Sequence, residues 1–394
     1  MGRNACRRSR VGRPHPTMAL VGGLALLAGC TTSPPSATGE SAGTSSATSA
    51  ASMTVSATPS TRTTGPVQVA TAAELLVNAS SRYRELLRSL TVSVDGTVIV
   101  ELYNPGSGPE VTHDIRSVTK SVMSILIGIA VDEGSIAGVD QTLAQLLPAY
   151  GPIMAPGVGE VTLEQVLTMT GGLLSDESAP ELITEPNWVT YFLSDPLEQP
   201  AGEGWAYSSR GSHLLSAILV EATGKPVLDY AREKLFGPLG ISTDPVVSGA
   251  IVTTDYAAYQ QGSGFGWLTD PQGLNIGAFS IRITADDMRK LGQLYLDRGE
   301  WQGAQVVSAG WVAESTKDHI APDEPRFGYG YQWWVREVDG RQIISARGFA
   351  GQLIEIIPDL GMVVTVSCLD GPGAFYPEDL EEMVESTLIP ALTG

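Results

Sequence analysis

Apolar and polar positions alternate every second residue from 91 to 103 (TVSVDGTVIVELY) on either side of Asp95-Gly96. The pattern predicts two antiparallel strands closed by a tight hairpin turn. Before it, 71–89 carries a helical repeat and predicts an amphipathic helix. The stretch Asp114 to Gly134 differs from both. Val118, Val122, Ile125, Leu126 and Ile129 lie on one side of a helix and Met123, Ile127 and Ala130 on another. A helix from about 117 that is apolar nearly all round belongs in a core. Ser121, Ser124 and Gly128 form a stripe of small residues along it, where another element can approach closely.

Shorter helical pieces follow at 140–147, 162–169, 187–194, 211–223 and 226–235, punctuated by Gly171-Gly172, Pro200 and Gly202. A further helix is expected over 284–298, with Thr284 as cap and Asp286 and Asp287 in its first turn. Strand-like runs then occupy 329–338, 341–346, 352–357 and 362–368, and the tail from 377 to 392 is again helical. Early strands, a helical middle and late strands predict an α+β fold. One antiparallel sheet is assembled from both chain ends and flanked by helices, with a mostly helical lobe inserted at about 117–240.

The first 65 residues stand outside this pattern. Five arginines precede an apolar segment, Met18 to Leu27, too short to span a bilayer and ending in Leu27-Ala28-Gly29-Cys30. The arrangement reads as an export signal over 1–29. Its last four residues resemble the lipobox of bacterial lipoproteins, which implies lipidation at Cys30 and anchoring to the outer face of the cell membrane. A plain signal peptide and a secreted protein are the alternative. Residues 31–65, almost wholly Ser, Thr, Ala, Pro and Gly, read as a tether. Gly39-Glu40-Ser41-Ala42-Gly43 matches the G-x-S-x-G nucleophile elbow, but no strand or helix is possible around it, and the match is discarded. The folded domain is therefore expected over 66–394.

Cleavage removes five of the 24 basic residues and none of the 43 acids, which takes the net charge from −19 to −24. That balance argues against nucleic acid or an anionic membrane face as partner. Of the three cysteines only Cys368 remains after cleavage and lipidation, so no disulfide forms within one chain.

Ser117 and Lys120 are three residues apart at the mouth of the core helix, on one face. A serine is a poor nucleophile until a base takes its proton, and a lysine serves as that base when burial favours its neutral amine. The chain has only five lysines, and Lys120 alone has a serine three residues before it. The plainer alternative is that Ser117 caps the helix and Lys120 reaches to solvent. A second candidate is Tyr207-Ser208-Ser209, ahead of an apolar helix, where a phenol near a lysine can relay protons.

Ser117-Val118-Thr119-Lys120, then Tyr207-Ser208-Ser209, then Arg347-Gly348-Phe349-Ala350-Gly351 resemble, in order, the three motifs of the serine β-lactamase-like, penicillin-binding-protein-type hydrolases. Val131-Asp132-Glu133-Gly134, Leu167 to Leu173 and Phe236 to Gly240 support the likeness, which spans nearly all of 70–394. The chain is most similar to the branch of class C β-lactamases, class VIII esterases and 6-aminohexanoate-dimer hydrolases. The resemblance implies Ser117 as acylated nucleophile, Lys120 as base and Tyr207 as acid–base group. It also implies an oxyanion hole from the N–H groups of Ser117 and of Phe349 on an edge strand, and neither a metal nor an organic cofactor.

Two departures bear on substrate. Ser209 stands where β-lactamases have Asn, and Ala346 where they have Lys or His two residues before Gly348. The cation that greets a β-lactam carboxylate is missing unless Arg347 replaces it. Tyr-x-Ser together with Gly348 to Gln352 looks closer to the 6-aminohexanoate-dimer type. A small or peptide-like amide or ester becomes the expected substrate, with a non-catalytic or singly acylated penicillin-binding lipoprotein as the alternative. A Ser-His-Asp site would have to use His113, His213 or His319, without an elbow motif. The scattered histidines offer no metal cluster. The sequence is silent on oligomeric state.

Overall fold

The computed structural model of the protein describes residues 65–178, 184–322, 324 and 326–394. The expected signal, Cys30, the discarded elbow match and nearly all of the tether lie outside the described residues.

Seven strands make the main antiparallel sheet: β1 Leu87–Val94, β2 Thr97–Tyr103, β3 Gly328–Tyr329, β4 Trp334–Val338, β5 Arg341–Gly348, β6 Gln352–Ile357 and β7 Met362–Cys368. Their order, β2-β1-β7-β6-β5-β4-β3, joins the two early strands to the late ones through the β1–β7 pair. Asp95 and Gly96 close the β1–β2 hairpin, both at positive φ, as an Asp-Gly turn requires. Every residue of β6 and β7 is buried, because the sheet is covered on both faces. Successive side chains serve opposite layers: Ile354 and Val363 pack with the helical lobe, Leu353 and Val364 with the chain termini.

Helix α1, Gly65–Ala79, and the C-terminal helix α5, Pro377–Met383, cover the terminal face. The other face carries α2, Val118–Asp132, and α4, Ala285–Leu296, with α3, Ser209–Thr223, packed beside α2. A Cβ on Gly292 of α4 would lie 2.6 Å from Val363, so the helix rests directly on the sheet. Residues 118–130 of α2 are all buried, and the stripe of small residues admits the Trp311 ring against Gly128.

Two expectations are corrected. The single helix over 71–89 is two, Gly65–Ala79 and Ser81–Leu86, and β1 begins at Leu87. The Asn104 side-chain amide donates to the carbonyls of Tyr83 (3.1 Å), Arg84 (2.9 Å) and Leu87, answering acceptors that a longer helix would have used. The run 329–338 is not one strand but β3 and β4 either side of a bend at Gln332, whose φ is 63°. Gln332 bends inward: its backbone oxygen accepts from Ser121 Oγ at 2.7 Å, its side-chain oxygen from Ser212 Oγ at 2.8 Å, and its amide donates to Leu167 O at 2.9 Å. One buried residue thereby ties α2, α3 and the 163–167 helix together beneath the site.

Candidate active site

Ser117 is the last residue before α2, and its side chain makes no capping bond. Its Oγ is instead 3.3 Å from Lys120 Nζ, one turn along. The turn that carries it is braced: Arg116, at φ 51°, has its N–H on Asp114 Oδ1 (2.9 Å) and its guanidinium on Asp370 (2.6 Å) and Tyr256 (3.0 Å). Such a left-handed residue is held only where its surroundings over-determine it.

Lys120 does not reach solvent; it is 2% exposed. Besides Ser117, its amine meets Ser209 Oγ and the Ala278 carbonyl, both at 3.0 Å, and lies 4.8 Å from the centre of the Tyr207 ring. The first two motifs thus converge on one amine. Ser208 caps α3 through the Gly211 N–H, so Ser209 opens that helix and Tyr207 sits just before it. Trp334 stacks on Tyr207 at 6.3 Å and 24°, and Trp205 lies edge-on to Trp334, giving the site an aromatic wall.

The third motif reaches the serine through a glycine. A Cβ on Gly348 would stand 2.5 Å from Ile115 O and 3.2 Å from Arg116 Cβ, so only glycine lets β5 lie against the turn that carries Ser117. Phe349 is not on an edge strand. Gly348 pairs with Gln352, and Phe349 opens the turn that Ala350 (φ 59°) and Gly351 (φ 77°) close. Among the described residues the backbone N–H groups of Ser117 and Phe349 donate to no other backbone group. Gly348 lying against Ile115 and Arg116 brings the end of β5 that leads into Phe349 up to the turn that leads into Ser117.

Arg347, offered as a replacement for the missing cation, faces carboxylates of its own chain. Its guanidinium is paired with Glu324 (3.1 Å), Glu378 and Glu381 (3.4 Å) and lies 4.3 Å from the Trp334 ring centre. Strand alternation turns it toward α5, and Ala346 beside it is fully buried.

The histidines do other work. His113 bonds Ser107, and burial, reinforced by Arg88 and Arg282, holds its imidazole down at about 4. His213 pairs with Asp270 and accepts the Gly277 N–H at 3.3 Å, fixing the loop that presents Ala278 O to Lys120. His319 stacks on Tyr331.

Two participants escape a reading of the motifs. Ala278 acts through its backbone and leaves no trace in residue type. Asp176, four residues beyond Gly172, accepts from Ser209 N (2.6 Å) and Ser209 Oγ (2.7 Å), and its own N–H donates to Tyr207 O. An acid placed just after a Gly-Gly turn was the available signal.

The model of one protein family, Beta-lactamase, matches residues 81–386. The chain is 27% identical over 334 residues to a 6-aminohexanoate-dimer hydrolase of Paenarthrobacter ureafaciens, covering 78% of this chain and 79% of that one. It is 25% identical over 320 residues to penicillin-binding protein 4 of Amycolatopsis lactamdurans, covering 74% and 83%. The solved structure of a D-stereospecific amidohydrolase from Streptomyces superposes with a TM-score of 0.61 at 17% identity, over 80% of this chain and 97% of the other.

Proposed function

The chain belongs to the β-lactamase family, and from that premise we propose that it is a serine hydrolase that cleaves an amide or ester through an acyl-enzyme on Ser117. The observation that carries the reading is the buried Lys120 amine 3.3 Å from the Ser117 hydroxyl. Lys120 takes the hydroxyl proton as Ser117 Oγ attacks the carbonyl carbon, and the carbonyl electron pair moves onto oxygen. The N–H groups of Ser117 and Phe349 receive that oxyanion; a donor of this kind commonly contributes about 3–4 kcal/mol. Tyr207, against Lys120, hands a proton to the leaving amine or alcohol as the carbonyl re-forms and the bond to that group breaks. Its phenolate then draws a proton from the water that attacks the acyl carbon, and Ser117 Oγ departs, regaining its proton from Lys120.

On the substrate, the commitment of Arg347 to three carboxylates favours a molecule with no carboxylate at that place. A linear amide of the 6-aminohexanoate-oligomer kind or a short acyl ester fits better than a β-lactam. Lys120 and Tyr207 standing together favour turnover over single acylation. The LAGC sequence at 27–30 supports an exported protein tethered through a lipid on Cys30.

Steady hydrolysis of a p-nitrophenyl ester, abolished in Ser117→Ala, is the expected result. A one-to-one adduct with labelled penicillin and no turnover of amide or ester would overturn it in favour of a penicillin-binding sensor.

A further inference from the structure

A neutral amine has two N–H bonds and one lone pair, so the groups around Lys120 determine which neighbour the lone pair meets. The Ala278 carbonyl, at 3.0 Å, can only accept. The Ser209 hydroxyl, also at 3.0 Å, can accept from the amine or donate to it. Donation would occupy the lone pair and leave Ser117 without a base. Asp176 resolves the choice: its Oδ1 takes the Ser209 N–H at 2.6 Å and its Oδ2 faces the hydroxyl at 2.7 Å. An ionised carboxylate accepts only, so the hydroxyl proton points to Asp176.

We propose that Asp176 is a positioning residue that makes Ser209 an obligate acceptor, so that Lys120 commits both hydrogens to Ser209 and Ala278 and turns its lone pair on Ser117. The inference rests on the proposed acylation of Ser117 and adds how its base is aimed. In the step itself the Ser117 O–H bond breaks, an Nζ–H bond forms and Oγ bonds the substrate carbonyl carbon. The resulting ammonium then has three hydrogens facing three oxygens: Ser117 Oγ, Ser209 Oγ and Ala278 O. An amide at position 209 would accept from Lys120 unaided. A hydroxyl there needs its sense fixed from behind, and Asp176 and Ser209 together do what one amide would do.

The test is a double-mutant cycle. In Asp176→Asn the lone carbonyl oxygen stays with the Ser209 N–H, and the new NH2 group donates to Ser209 Oγ, which turns the hydroxyl proton onto the Lys120 lone pair. The acylation rate with a p-nitrophenyl ester is expected to fall about 10- to 100-fold, mainly in kcat. In a Ser209→Ala background the same change is expected to cost under about twofold, because the hydroxyl through which it acts is gone. Ser209→Asn combined with Asp176→Asn is expected to recover most of the loss. Equal losses with and without the Ser209 hydroxyl, or no loss at all, would overturn the proposal, with thermal unfolding checking that each variant is folded. If the parent shows no ester turnover, the hydrolase reading fails by itself. The cycle is then read from the rate at which a fluorophosphonate probe labels Ser117, which needs only the aimed base.

Discussion

Lys120 and Arg347 are both basic side chains shut away from solvent, 2% and 7% exposed, and their surroundings are opposite. Lys120 faces two hydroxyls, a carbonyl and an aromatic ring, none of them charged. Arg347 faces three carboxylates and two aromatic rings. The neutral shell gives the Lys120 amine only hydrogen-bond partners, whereas the carboxylates tie the Arg347 guanidinium into ion pairs with a loop and a helix. Burial alone therefore does not mark a catalytic cation. What surrounds it differs: the first motif gathers hydroxyls and a carbonyl around its amine, and the third ties the sheet to the C-terminal helix.

The largest effect is expected where the neutral shell is emptied. Lys120→Ala should lower ester turnover about 10³-fold and Tyr207→Phe about 10²-fold, each with an unchanged circular dichroism spectrum. Turnover at the parent rate in either variant would remove that residue from the proposed mechanism. Next comes the contact between the two regions. A methyl at Gly348 meets the Ile115 carbonyl at 2.5 Å, so Gly348→Ala should push β5 away from the Ser117 turn. The expected cost is about 1–3 kcal/mol of stability in urea unfolding, with a fall of roughly tenfold in kcat/KM. Unchanged kinetics would mean that the turn and the strand adjust independently.

How much of this was legible in sequence follows the same division. The Ser117–Lys120 pair lies within one helical turn, and β6 and β7 are buried on both faces, so local pattern revealed all three. The partners of Arg347 come from a loop and from α5, and nothing next to Arg347 announces them. The carboxylates that Arg347 meets in the fold are its own chain's Glu324, Glu378 and Glu381. Asp176 and the Ala278 carbonyl stayed hidden for the same reason: each reaches Lys120 or its partner only across tertiary contacts. The helix expected over 71–89 failed at a side chain from beyond the hairpin, Asn104, which periodicity does not see.

Arg347→Met then separates the two cations directly. Removing one partner of a buried ion-pair group leaves carboxylates unpaired, and a loss of about 3 kcal/mol is expected in denaturant unfolding. Turnover per folded molecule should stay within about threefold of the parent. A KM raised tenfold with stability unchanged would instead make Arg347 a substrate-binding group.

The smallest and finest effect lies in pH. Glu355, fully buried on β6, bonds Arg336 and Ser345, and Glu381 and Glu385 share the same guanidinium. Burial, helped by Glu381 and opposed by Arg336, pushes its carboxyl from 4.5 up to about 7. The folded protein therefore holds a proton that the unfolded chain releases over that interval. The stability this confers is complete below about 4.5 and is lost as pH rises through about 7. Glu355→Gln is neutral throughout, so its unfolding free energy relative to the parent should climb between those two values. Parallel stability curves would show that the proton is not held there. The pH–rate profile of the variant should superimpose on that of the parent, because Glu355 belongs to the carboxylate-bound region and touches none of the groups around Lys120. A displaced rate profile would mean that the Arg336–Glu355 cluster is nevertheless coupled to the groups around Lys120 through β5.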